Sequence, residues 1–544
     1  MSFVAAIFPR MRRSRILVLV LCLAGAVAQP ANAQKPRELS LEECITIALQ
    51  HNFSVRIARY NPDLARYALS ASYGNYDPEF FFKGEHDYNL SPGGVDSQGR
   101  SFSGTETEAD RFQSSIQGLL PWGLTYNLGT SVADQTGNRP SSTIDPTSAT
   151  VVTNSFVDIN TGNTISYLST NFSSVAIRSP FETTAGTVGF FTLQQPLLKN
   201  FWIDSTRLQI FINKQQLKAK EFDLRAQFMA TITDVERAYY NLIFAQENVK
   251  VQQKAVELAE RLVAENKRRV EVGALAPLDE KQAESQAAAS RADLLGALGD
   301  QGTAERVLKN LLSDDYKNSW QDLSLMPTEK LVALPERFDL QESWRTGLAQ
   351  RPDFLALKLG LTEQDYRVRF QKNQLFPQVD LIGSYGYNAS GQEYSDAFGQ
   401  FRRGDNPFYS FGAQLTIPLS QQTTRNNLKS ARAGREQLSL QVKQLEQSIL
   451  VSIEDAIAGA NTSFGRVGAT REARLYAEAA LDAEQKKLES GKSTSFEVLR
   501  LQRDLTSARS TEIRALADYN IALAVVAFNE GRTLERRKVD LKTK

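Results

Sequence analysis

The sequence predicts a mixed α/β membrane protein: a trimeric 12-stranded β-barrel, four strands per chain, continued by a long α-helical coiled-coil barrel. Three observations predict it. A glycine-centred turn motif occurs twice, as Val270-Glu271-Val272-Gly273-Ala274-Leu275-Ala276-Pro277-Leu278-Asp279 and as Leu488-Glu489-Ser490-Gly491-Lys492-Ser493-Thr494-Ser495-Phe496-Glu497, each time closing a long helical pattern. Short alternating segments rich in aromatic residues and glycine stand between the helical runs, and an export signal precedes them all.

In each motif the glycine ends one helix at little steric cost, because it enters the left-handed region freely. The acid that follows, Asp279 or Glu497, favours the start of the next helix. Correspondence between the copies continues outward. Leu39-Ser40-Leu41-Glu42-Glu43 answers Phe338-Asp339-Leu340-Gln341-Glu342, Pro78 answers Pro377, and Gln195-Pro196-Leu197-Leu198 answers Ile417-Pro418-Leu419-Ser420. Each copy runs helix, strand, loop, strand, very long helix, glycine turn, helix. The first repeat, residues 34–312, is longer because extra sequence sits in its strand region. An equatorial linker at 313–336, containing Trp320, Pro327 and Pro335, joins it to the second repeat at 337–530, and residues 531–544 read as a polar C-terminal tail.

Arg10, Arg12, Arg13 and Arg15 lead into an apolar run from Ile16 to Gly25, and Ala31-Asn32-Ala33 supplies the small residues of a cleavage site. Residues 1–33 read as a signal peptide, the apolar run being short for a membrane span. Their loss takes the formal net charge of +1 to slightly negative, and no basic tract remains for nucleic acid. Cys44 is then the sole cysteine and reads as an apolar helix position. With His51 and His86 the only histidines, no clustered ligand set and no phosphate-cradling glycine loop, the chain offers no constellation for an enzyme, a metal site or a cofactor.

Strand candidates lie near 79–90, 187–195, 378–388 and 408–417, and Pro78, Pro196, Pro377 and Pro418 mark the strand-to-helix junctions. About ten alternating residues is the length of a tilted strand crossing a bilayer. Residues 112–119 and 124–132, hinged at Pro121-Trp122-Gly123, are two further candidates. Four strands cannot close a barrel, and an open edge is not tolerated in lipid. Three chains of four strands would close one of twelve, an even number. Residues 133–184, rich in Thr, Ser, Asn and Gly, read as a long extracellular loop.

From about 203 to 268, and again from 423 to 488, apolar residues recur at spacings of three and four with no proline. At about 1.5 Å per residue each run reaches roughly 100 Å, which means a coiled coil or an extended bundle. The returning helices, 279–312 and 495–529, are shorter, so residues 41–74 and 338–375 are needed to complete each seam from the membrane end.

Together the glycine turns, the Leu-rich opening helices and the Gln195-Pro196-Leu197-Leu198 junction resemble the outer-membrane efflux protein family, the TolC-like channels, over residues 38–530. The resemblance implies a homotrimer in the outer membrane with a large periplasmic portion, its barrel set in outer-membrane lipid. It implies a passive exit duct of a tripartite efflux pump or type I secretion system, docked to a periplasmic adaptor protein and an inner-membrane pump, with no enzymatic activity and no cofactor. It further implies a gate at the helical end, with Asp279 at the family's acidic site in the first turn and Glu497 at the first acidic site of the second. Arg500 stands where a second acid is usual, Leu488 at a tyrosine position and Ser493 at an arginine position, so the usual gate bonds must take another form. Gly273 and Gly491 fall where an adaptor's hairpin tip would dock. The residues add that Glu497 and Arg500 share a helical face and can pair. A ring of acids in a narrow passage concentrates cations, and Arg500 opposes that bias. The competing reading is a periplasmic or secreted coiled-coil scaffold without channel activity, which leaves strands and export signal without a joint purpose.

Overall fold

The computed structural model describes residues 37–95, 101–102, 104–273 and 275–539; the signal-peptide reading of residues 1–33 lies outside them. The chain opens with strand β1 (Arg37–Leu39), helix α1 (Leu41–His51) and helix α2 (Phe53–Tyr73). Ser40 starts α1 with a capping box: Glu43 N–H donates to its Oγ at 3.2 Å while Ser40 N–H donates to Glu43 Oε2 at 2.9 Å. Then come β2 (Glu79–Ser91), the short β3 (Gly94–Val95) and β4 (Ser101–Phe102), β5 (Thr105–Leu119), β6 (Thr125–Ile144), β7 (Thr150–Val157), β8 (Thr164–Asn171) and β9 (Ser174–Pro196). Helix α3 (Ser205–Glu271) runs for 67 residues and returns as α4 (Pro277–Leu312).

The second copy follows β10 (Leu325–Pro327). It comprises α5 (Leu340–Gln350), α6 (Pro352–Asn373), β11 (Gln378–Gly391), α7 (Tyr394–Arg403), β12 (Pro407–Thr416), the 68-residue α8 (Gln422–Glu489) and α9 (Ser495–Asn529). The long helices hold because shorter ones flank them in relay. α3 packs on α2 and α6 towards the sheet and on α4 and α9 towards the far end, while α8 packs on α5 and α6 and then on α9. Midway, Tyr239 of α3 is fully buried and donates its hydroxyl to Leu39 O at 3.0 Å. The linker wraps this waist: β10 pairs in parallel with β1, Gln246 Nε2 donates to Leu325 O at 2.9 Å, and Asn520 Nδ2 to Val332 O at 3.1 Å.

The expected count of four strands per chain is corrected. The main sheet has six strands in the order β12-β11-β9-β6-β5-β2, every neighbouring pair antiparallel. The hairpin β5–β6 inserts between β2 and β9, because its backbone groups find partners on both sides along the full length of β2. The region read as a loop, 133–184, is strand through most of its length: β6 and β9 stay paired out to Ile144 and Ser174, and β7–β8 forms a hairpin beyond them. Nor does the chain trail after Gly531. α10 (Thr533–Arg536) docks with Leu534 in the waist core, and the Arg537 guanidinium meets the buried Glu236 carboxylate, so the segment is held through Val539. Residues 540–544 lie outside the described part.

Candidate functional site

Both ends of the long helices that lie away from the sheet are built by the same local rule. Gly273 and Gly491 take φ of +77° and +72°, the conformation that glycine adopts without strain. The closing bonds repeat between copies: Val272 N–H to Arg268 O at 3.2 Å and Gly273 N–H to Val270 O at 2.9 Å, then Ser490 N–H to Lys486 O at 3.2 Å and Gly491 N–H to Leu488 O at 3.1 Å. Beneath the turns, Leu262 of α3, Ala283 of α4, Leu481 and Leu488 of α8 and Val498 of α9 form one apolar cluster. Leu488 is thus spent on packing.

The polar residues divide the remaining work unevenly. Asp279 turns its carboxylate to its own helix start, accepting from Ala276 N–H at 3.2 Å. Its counterpart Glu497 instead holds Arg500, whose Nη2 and Nε donate to Oε2 at 2.7 and 3.0 Å, and that bond keeps the guanidinium pKa above its usual value. Ser493 donates to Glu484, with Lys487 Nζ at 3.0 Å from the same carboxylate; these two hydrogen bonds, Ser493 first, hold Glu484 below the usual range.

Two residues that sequence reasoning missed tie the hairpins together. Asn266 of α3, fully buried, donates from Nδ2 to Asp279 O at 3.3 Å and accepts from Ser495 Oγ of α9 at 3.0 Å. Asn266 and Glu484 occupy the same place ahead of their turn glycines, so a polar residue within the apolar seam at that place in both copies was the available signal. Between α4 and α9 a groove of about 390 Å³ exposes Leu278 and Phe496 beside Arg500 and Arg503.

At the other end, Pro78 precedes β2, Pro196 closes β9, Pro377 precedes β11 and Pro418 follows β12, all on the helix side of the sheet. One row across the sheet reads Phe80, Ile116, Leu128, Phe191, Tyr385, Tyr409, every member exposed. The adjacent row, on the opposite face, reads Glu79, Gln117, Asn127, Thr192, Ser384, Ser410. Among the described residues no helix is long and apolar enough to cross a membrane.

A sheet with an apolar and a polar row on opposite faces, feeding helices of about 100 Å that end in tied turns, is the pattern of a membrane-wall sheet continued by a long helical part. The family model described as outer membrane efflux protein matches residues 168–313 and 345–528, and the chain belongs to that family. The outer membrane efflux protein BepC of Brucella suis biovar 1 is 25% identical over 352 residues, covering 64% of this chain and 73% of that protein. The outer membrane protein TolC of Vibrio cholerae is 22% identical over 381 residues, covering 67% and 81%. The CmeC outer membrane channel of Campylobacter jejuni shares the fold, with a TM-score of 0.61 at 15% identity over 93% of this chain and 90% of that one. The protein is therefore an outer-membrane channel, the exit duct of an efflux system, with a large periplasmic helical part and no catalytic role. The scaffold reading does not stand.

Proposed function

We propose that three copies join edge to edge into one outer-membrane barrel, that their helices form a periplasmic tube, and that the tube's turn-bearing end docks a periplasmic adaptor coupled to an inner-membrane pump. The observation that carries this is the sheet, with an apolar row on one face and a polar row on the other, in which β2 and β12 each pair on one side only and leave their outer edges open. Lipid does not tolerate such edges, so copies of the chain must satisfy them. A twelve-strand count takes four strands from each chain, two fewer than the main sheet holds.

Asp279, Glu497 and Arg500 belong to the gate in this reading, in different ways. The Asp279 carbonyl and Ser495 are joined through Asn266, which supports a closed tip held by the grip of one hairpin on the other. Glu497 and Arg500 set the charge at the constriction. Gly273 and Gly491, with the Leu278–Phe496 groove beside them, offer an adaptor tip exposed backbone and an apolar foothold.

Native mass spectrometry of the detergent-extracted full chain, followed by planar-bilayer recording, tests the reading. A trimer that conducts in small steps supports it. A monomer without conductance overturns it.

A further inference from the structure

We propose that the β5–β6 hairpin is part of the membrane wall, so that three chains close a barrel of eighteen strands, in which β12 of each copy pairs with β2 of the next. The inference rests on the trimeric reading above.

The apolar row is the first ground. Ile116 of β5 and Leu128 of β6 sit between Phe80 and Phe191 in register, and all four are exposed on one face. A hairpin folded outside the wall has no reason to place aliphatic side chains in that row. On the opposite face the same two strands carry polar residues, and the ion pairs Lys83–Glu85 and Arg111–Asp87 lie there. That is the pattern of a strand with lipid on one side and water on the other. The apolar face runs along β2 through Phe80, Phe82 and Gly84 and yields to His86, whose Nδ1 lies 2.7 Å from Asp110 of β5. At about 3.4 Å per residue the run from Phe80 to His86 covers roughly 20 Å along the strand, a substantial part of the roughly 25 Å apolar band of an outer-membrane wall.

Seating of the hairpin is the second ground. Its turn closes with Leu120 N–H to Leu124 O and Gly123 N–H to Leu120 O, both 2.8 Å, at the helix-side rim where β9 gives way to α3. Gly123, at φ +91°, lies against Arg207 near the start of α3, and Gln195 Nε2 donates to Trp122 O at 3.5 Å. β2 cannot reach β9 without removing two fully paired strands.

Closure is the third. β2 leads away from the helices and β12 leads back, so a β12 to β2 junction between copies is antiparallel like every other pair in the sheet, and the total stays even. Barrel diameter grows roughly linearly with strand number, so the wall is about 1.5-fold wider than one of twelve strands. The hairpin adds no helix, so the duct flares at the outer membrane and its narrowest part stays in the helical tube.

Disulfide trapping in the full chain tests this, with Cys44, buried and free, as the only described thiol background. The pairs Phe80→Cys with Ile116→Cys and Leu128→Cys with Phe191→Cys should each cross-link within one chain, while Phe80→Cys with Phe191→Cys should not. Cross-linking of that last pair instead would place the hairpin outside the wall and overturn the proposal. Native mass of the unsubstituted protein separates the other failure: a dimer would overturn the trimeric reading and the eighteen-strand count together. The unsubstituted trimer should also admit polymers about 1.5-fold larger in diameter to its outer mouth than a twelve-stranded wall allows, a readout that needs no variant to fold; exclusion at the narrower limit contradicts the proposal.

Discussion

Ser495 of α9 donates its hydroxyl to Asn266 Oδ1 of α3 at 3.0 Å, and the two residues are 1% and 0% exposed. Through Asn266 Nδ2 the same contact reaches the Asp279 carbonyl, so one buried amide joins helices from both copies at the tube's end.

Asn266→Ala strips that amide from a buried site, leaving the buried Ser495 hydroxyl short of its partner at about 1–3 kcal/mol and removing the second bond to the Asp279 carbonyl. The tip should loosen, and single-channel conductance should rise, with Ser495→Ala giving a smaller rise. Conductance unchanged in both variants would show that the bond does not hold the gate.

Gly491→Val places a β-branched residue at φ +72°, where no neighbouring atom lies within 4 Å of an added Cβ. The penalty is backbone strain alone, at least about 1 kcal/mol. Adaptor capture in a pull-down should fall while trimer yield persists, and Gly491→Asn, which tolerates the left-handed region, should restore capture.

Arg500→Glu removes the cation bound to Glu497 and adds a like charge three residues away. Reversal potentials under a salt gradient should move towards cation preference. An unmoved potential would place this face away from the lumen.

Glu484 has its folded pKa held below the ordinary 4.5 by Ser493 and Lys487. The unfolded chain therefore takes up the proton first as pH falls, so the stabilising contribution is present above 4.5 and disappears as pH drops through the folded value. Amide exchange at residues 490–494 should accelerate below about pH 4.5, and Ser493→Ala should move the onset to higher pH.

Arg537→Ala leaves Glu236, 1% exposed, buried without its cation. Loss of one partner from such a pair costs about 3 kcal/mol. The melting temperature should fall, whereas Lys538→Ala, at an exposed position nearby, should leave it in place.

The helical half was legible because its physics is local. A run without proline from 205 to 271, closed by Gly273 and echoed at Gly491, admits few other structures. The sheet was legible in part: Ile116 and Leu128 alternate correctly, but charges at Glu106, Glu108, Asp110 and Arg111 dilute β5. What settles β5 and β6 is pairing with Glu79–Ser91 and Ser174–Pro196, a non-local relation that no window contains. The ribbon at 133–184 is hidden for the same reason, since its bonds are backbone bonds and its Thr, Ser and Asn composition also suits a loop. At the tip, glycines and acids stood out by type, whereas Asn266 and Ser495 matter by burial. Arg537 read as one charge of a solvated tail because its partner lies 301 residues away.

Electron microscopy of the full chain extracted from outer membranes, at a resolution that separates strands and helices, tests the central claim most directly. A threefold particle whose membrane-embedded wall continues into a helical tube of about 100 Å, constricted where Gly273 and Gly491 lie, is the predicted result. A soluble elongated particle with no membrane-embedded wall would contradict it.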